Sequence, residues 1–230
     1  MIEIENQNAL KCLILFGSHA RGDIDIHSDF DLLGINDSKD YTVKDVGKVN
    51  FSLYSTSESL KLASEGNLFF LHIIKEGKCL FNDAFFSQLK ESFIYKESYL
   101  EDAVVAYFLA EKILGHKDII TNWVIANKRI SWCVRTILIA LSANEKNPIF
   151  SKYELANVAF KRNYSPKESI SLIDAKSRYK KDDKILLMLQ DFLIEHQELK
   201  GQISKGILYS KGIVSSTLFS IINTSPVFYH

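Results

Sequence analysis

The chain has 230 residues, 47% hydrophobic and 24% charged, with three prolines. That is enough length and apolar content for one large or two small domains, and it excludes a disordered or fibrous protein. Lysine plus arginine equals aspartate plus glutamate at 28 each, so no net field draws the protein toward a long nucleic acid or a membrane surface.

Cys12, Cys79 and Cys133 lie far apart in apolar runs and form no C-x-x-C pair. They read as buried reduced thiols, which fits a reducing cytoplasm. The opening MIEIENQNALK is acidic and polar, unlike a signal peptide. The longest apolar runs fall short of the ~20 residues a membrane helix needs, so a soluble, cytoplasmic protein is expected.

In chain order, residues 3–11 suit a short helix and CLILF (12–16) a buried strand. Residues 18–24 open a helix or turn, and DFDLLGI (29–35) alternates as a second strand. NDSKDYTVKDVG (36–47) carries the turn formers of a hairpin or longer loop. KVNFSLYS (48–55) alternates again, with Val49, Phe51 and Leu53 on one face. Ser57 and Glu58 open a helix that breaks at Gly66 and resumes, and KCLFND (78–83) returns as a short strand. After about residue 93 the spacing becomes helical over 99–114, 119–143, 151–161, 166–178 and 182–209. The second of these is apolar nearly all round and holds both tryptophans, as the central helix of a bundle would. The expected architecture is α+β: a small mixed-sheet domain over 1–93, then an all-α helical bundle over 94–230. The apolar tail either packs back on the bundle or forms a homodimer interface.

The chemistry concentrates in LILFGSHARGDIDIHSDFDLLGI (13–35). A glycine at a strand end lets backbone approach a phosphate, and the Ser18 hydroxyl adds a donor. Residues two apart in a strand share a face, so Asp29 and Asp31 converge. Two adjacent carboxylates repel unless a proton or cation joins them, and oxygen ligands suit Mg²⁺ or Mn²⁺ rather than zinc. A phosphate turn beside paired acids describes phosphoryl or nucleotidyl transfer.

Gly17-Ser18, ten intervening residues and then Asp-x-Asp, with Ala20-Arg21-Gly22 and Ser28 in place, resembles the signature of the minimal nucleotidyltransferases of the DNA polymerase β superfamily. The resemblance covers residues 13–35 and extends to about residue 82. It implies a nucleoside triphosphate, ATP in the leading reading, held through Mg²⁺ (or Mn²⁺) by Asp29 and Asp31. Gly17 and Ser18 then take the outer phosphates, and Ser28 and Arg21 join the nucleotide-holding set. Arg21 either pairs with phosphate or braces the loop through a carboxylate. Asp23, Asp25 and His27 read as loop surface, and His19 either reaches a phosphate or is inert.

The family carries a third carboxylate on the next strand, where this chain has Asn50 and Ser52. Asn50 offers a metal a carbonyl oxygen but no charge and no base. Asp45 and Glu58 are the nearest substitutes, neither at the expected register.

In the helical half, Glu101, Asp102 and Glu111 either supply a base, as in antibiotic-modifying relatives, or form a solvated helix face. Lys128, Arg129 and Arg135 near the tryptophans either flank a stacked base or snorkel from the core. No histidine follows Arg129 or Arg135 at nuclease spacing, and KSRYKKDDK (176–184) reads as a solvated helix end. The expected activity is transfer of AMP from ATP to a hydroxyl of a small molecule or partner protein, with pyrophosphate released. The alternative is a catalytically weak nucleotide-binding or antitoxin-like module.

Overall fold

The structure is a computed structural model that describes residues 9–25, 28–38, 42–202 and 212–222, without the side chains of 42–45. The chain divides into two compact units, Met1–Glu97 and Ser98–His230. The architecture is α+β, a mixed sheet with helices followed by a mostly helical region.

Five strands build the sheet of the first unit: β1 (Cys12–Phe16), β2 (Phe30–Asn36), β3 (Thr42–Val46), β4 (Val49–Ser55) and β5 (Lys78–Phe81). Their spatial order is β3-β4-β2-β1-β5. The β2–β4 pair is parallel and the other three pairs are antiparallel. Cys12 stands opposite Ile35, and Ile14 opposite Leu33. These four side chains share one face, and all are fully buried. Helices α2 (Thr56–Ser64), α3 (Leu68–Glu76) and α4 (Asp83–Glu91) bring Ala63, Phe70, Ile73, Phe86 and Leu89 into the same cluster. Fully burying one large apolar side chain contributes about 1.5–3 kcal/mol, so this face ties the sheet to its helices.

Polar side chains start these helices. The Ser55 hydroxyl accepts from the Glu58 amide at 3.1 Å to open α2, two residues ahead of the expected Ser57 start. Asn67 and Asn82 cap α3 and α4 in the same way.

The loop expected over 36–47 changes here. Residues 36–47 are not turn throughout, because 42–46 form β3, antiparallel to β4 with Val46 opposite Val49. Gly47, at φ +63°, supplies the left-handed backbone that a two-residue hairpin turn requires. In β4, Val49, Phe51 and Leu53 do alternate onto one face, but the helix-packed face carries Asn50, Ser52 and Tyr54, which pair with Asp31, Leu33 and Ile35. Tyr54 packs against the buried cluster, and β4 is half-buried along its whole length. The helix expected over 3–11 falls mostly outside the described residues, and residues 9–11 are not helical.

The second unit is built on α5 (Leu100–Gly115) and α6 (Trp123–Asn144). The all-round apolar character of α6 follows from its buried positions, which include Ala126, Ile130, Val134, Ile137 and Ala140. Asn144 ends α6, and α7 (Lys152–Val158) and α8 (Pro166–Ile173) follow. A Ser165–Glu168 capping box starts α8. Helix α9 (Asp183–Glu195) stops well short of the expected 209, giving way at His196 to a 3₁₀ turn over Gln197–Gln202. In the tail, α10 (Ile213–Ile222) packs back on its own unit: the Thr121 and Asn122 amides donate to the Ile221 carbonyl at 2.9 and 3.1 Å. Ile221 is fully buried.

Candidate active site

The motif residues sit where β1 turns into the short helix α1 (Gly17–Arg21) and where β2 begins. Phe16, the last residue of β1, stands opposite Asp31 of β2. Gly17 follows at φ +71°, and a Cβ there would lie 2.5 Å from the Asp31 Oδ2. Glycine is required here twice, by the backbone conformation and by the carboxylate pressed against it. On the other side of β2, the Asn50 Nδ2 donates to the Asp31 Oδ1 at 3.0 Å. Asp31 is thus fixed between a glycine and an amide. Asp29 lies just before β2 and is half-buried. The Phe30 amide, donating to the Lys48 carbonyl at 2.7 Å, holds that strand end against the β3–β4 hairpin.

Asn50 stands directly opposite Asp31 in the parallel β2–β4 ladder, and Asp45 stands directly opposite Asn50 in the β3–β4 ladder. Read across the sheet, the row is Asp45, Asn50, Asp31, Phe16. Asp45 thus stands one strand beyond Asn50, on β3, and not at the Asn50 position itself. The sequence hid this because β3 was not legible as a strand. Glu58 lies in the first turn of α2, 3.9 Å from Lys61.

Arg21 braces. Its Nε lies 3.1 Å from both carboxylate oxygens of Asp23, and its Nη1 donates to the Glu76 Oε2 at 2.5 Å. The His72 Nε2 lies 2.8 Å from the same glutamate oxygen. Burial opposes the Arg21 charge, but the hydrogen bonds to Glu76 and Asp23 outweigh it and raise the guanidinium above its ordinary value. The network ties α1 to α3. It moves Asp23 from loop surface to an ion-pair partner, and it brings in His72 and Glu76, which the sequence reading did not single out. Their signal was an i, i+4 pair on one helix face.

Ser18 is half-buried in α1, and its carbonyl accepts from the Gly22 and Asp23 amides at 2.8 and 3.2 Å. Ser28 closes the loop before β2: its hydroxyl accepts from the Asp25 amide at 2.8 Å and donates to the Asp25 carboxylate at 3.2 Å. Asp25 is thereby a loop-closing partner, whereas His27 lies outside the described residues. His19 stacks on Phe30 with ring centroids 3.7 Å apart.

Among the described residues, no three histidine, cysteine, aspartate or glutamate side chains converge to hold a metal. The oxygen donors at the motif are the Asp29 and Asp31 carboxylates. Asn50 turns its amide nitrogen to Asp31, so its oxygen remains for another partner. The donor set is hard and anionic, the chemistry Mg²⁺ or Mn²⁺ takes.

In the second unit, the Glu111 carboxylate accepts from the Lys200 Nζ at 2.6 Å, and the Arg135 Nη2 donates to the Phe150 carbonyl at 3.2 Å. Burial pushes the Cys12 thiol up to about 12, and burial also raises Cys133. Among the described residues, no helix is long and apolar enough to cross a membrane.

The chain matches no protein-family model and no curated protein sequence. Its structure is similar to that of a nucleotidyltransferase-like protein from Exiguobacterium sibiricum 255-15, at 16% sequence identity, covering 93% of this chain and 73% of that one with a TM-score of 0.33.

Proposed function

We propose that this chain is a divalent-metal-dependent nucleotidyltransferase that moves a nucleoside monophosphate, AMP in the leading reading, from its triphosphate to a hydroxyl acceptor. The observation that carries the reading is Asp31, held between Gly17 and the Asn50 amide with Asp29 two residues before it on the same strand path. Asp29 and Asp31 would hold Mg²⁺ or Mn²⁺. A divalent ion bound there neutralises triphosphate charge and orients the reacting phosphate. Gly17 and Ser18 receive the outer phosphates. Arg21 positions α1 from below, because its charge is already matched by Asp23 and Glu76. Ser28 holds the loop that delivers Asp29. In the reaction, the acceptor oxygen bonds to the α-phosphorus, the bond to the pyrophosphate breaks, and the hydroxyl proton passes to a base. Asn50 cannot take that proton. Asp45, opposite Asn50, is the nearest further acid by register and is the residue we assign to supply the missing charge.

Asn50 itself supports a second reading, a module that binds Mg-nucleotide without turnover. One assay separates the two. The wild-type protein, given Mg-ATP and a panel of aminoglycoside and protein hydroxyl acceptors, releases pyrophosphate if it is a transferase. Binding without pyrophosphate leaves the binding module. Asp29→Ala combined with Asp31→Ala abolishes Mg-ATP binding under either reading, and unchanged affinity would sink both. A small-molecule or protein acceptor fits the balanced charge better than a long nucleic acid, whose backbone normally needs a basic track.

A further inference from the structure

In the helical unit, residues 177–182 line a shallow, open cleft of about 340 Å³. The cleft is built on a buried polar group. Asn127 of α6 is 1% exposed, and its Nδ2 donates to the Arg178 carbonyl at 3.1 Å and the Lys180 carbonyl at 3.0 Å. These bonds pin the backbone on both sides of Tyr179. With Arg178 extended at φ −93° and ψ 135°, the Tyr179 ring is turned outward and is 78% exposed. At the far end, the Asp182 carboxylate caps α9 by accepting from the Lys184 and Ile185 amides at 3.1 and 3.2 Å. Both ends of the loop are therefore fixed before a ligand arrives, which lowers the entropic cost of binding.

The side chains that line the cleft are Arg178, Tyr179, Lys180 and Lys181, with Ser177 and the Asp182 carboxylate at its two ends. Lys180 has no ion-pair partner among the described residues, and the Arg178 Nε lies a loose 3.8 Å from Asp182. Lys181 is shared between Asp118 at 3.4 Å and Asp183 at 3.9 Å, and lies 6.0 Å from the centre of the Trp123 ring. A cation next in sequence to an exposed aromatic ring, on a pinned backbone, suits a ligand that joins an anion to a flat ring system. Bases stack on such rings with little preference among them. The cleft's volume and the chain's balanced charge favour a single nucleotide over a polynucleotide.

We propose that this cleft is a nucleotide site separate from the Asp29–Asp31 site: it takes a nucleoside monophosphate, with the phosphate at Lys180 and Arg178 and the base on Tyr179. It needs no divalent ion, because Lys180 and Arg178 supply the positive charge that meets the phosphate. That separates it in the test from the site in the first unit.

The experiment is calorimetric titration of the full chain with AMP in excess EDTA. The expected result is one AMP per chain, with affinity lowered about tenfold or more in Tyr179→Ser, as loss of base stacking predicts. Lys180→Glu lowers it further. Asp29→Asn with Asp31→Asn leaves it unchanged, so failure of the transferase reading does not touch this outcome. Circular dichroism melts confirm that each variant is folded. The proposal is overturned if AMP does not bind in EDTA, or if neither loop variant changes its affinity. Inorganic phosphate binding as tightly as AMP would remove the base from the site. A short single-stranded oligoribonucleotide binding far more tightly than AMP would replace the mononucleotide with an RNA surface.

Discussion

In the first unit, Asp31 stands where it does because strand register sets it between Phe16 and Asn50, and because Gly17 leaves its carboxylate room. In the second unit, Arg178 and Lys180 are held by one buried amide gripping two carbonyls. The first arrangement is distributed: three strands and a glycine cooperate, so its polar groups move only if the sheet moves. The second hangs on a single side chain and can be lost while the bundle stays intact. The signs of charge are opposite as well, acidic at the sheet and basic at the loop. The two regions should therefore answer differently to metal removal and to single substitutions.

The largest difference is expected in activity. Asp45→Asn removes a charge from the row Asp45, Asn50, Asp31 while keeping side-chain size. Pyrophosphate release is expected to fall by ~10²–10⁴-fold, the range for loss of an acid–base group. Asn50→Asp, which restores the acid to the adjacent strand, should recover part of that loss in the Asp45→Asn background. Lys180→Glu in the other unit should leave the rate as it was. Turnover unaffected by Asp45→Asn would show that the row carries no third acid.

Next in size is Gly17→Ala. A non-glycine residue at φ +71° is strained by about 1–3 kcal/mol, and the added Cβ must also push the Asp31 carboxylate from its place. Urea unfolding should show a loss of at least that size, and Mg-ATP binding should weaken with it. Asn127→Leu is the counterpart in the second unit. It deletes two hydrogen bonds worth about 0.5–1.5 kcal/mol each, partly offset by the better burial of leucine. Hydrogen exchange should quicken at residues 178–181 while the sheet amides keep their protection. Loss of protection across both units would mean that the loop is not separable in this way.

The motif corner was legible because its signals are local: an apolar run, a glycine at its end, and carboxylates two apart. CLILF and DFDLLGI became β1 and β2 within a residue or so, and the apolar run around both tryptophans became α6. Strand β3 was not legible. Its five residues follow a tract of Asn, Asp, Ser and Lys whose turn signal dominates any short window, and it took Asp45's register with it. The partners of Arg21 were hidden by distance, since Glu76 lies 55 residues away and looks like any charge on an amphipathic helix. Asn127 left a trace, a polar residue on the apolar face of α6, but no pattern says which carbonyls it will hold. The end of α9 had no signal at all, because nothing around Glu195 and His196 is a helix breaker.

The smallest effect concerns pH, and it again separates the units. His196, at the end of α9, has a side chain only 12% exposed and packs on Phe192 with ring centroids 4.5 Å apart. Burial depresses its imidazole below the ordinary 6.5, against the opposing pull of Glu198 and Glu195, with Lys161 adding to the depression. The unfolded chain then binds the proton more readily than the folded one. The stability this contributes is complete above pH 6.5 and is lost as pH falls through the lower folded value. His196→Phe, which keeps an aromatic ring on Phe192 and removes the titrating group, should flatten that acid limb in urea titrations. The Asp29–Asp31 site lies in the other unit, so Mg-ATP affinity should follow the same pH profile in wild type and variant. A variant that keeps the wild-type acid limb would show that His196 is not the group whose protonation loosens the helical unit.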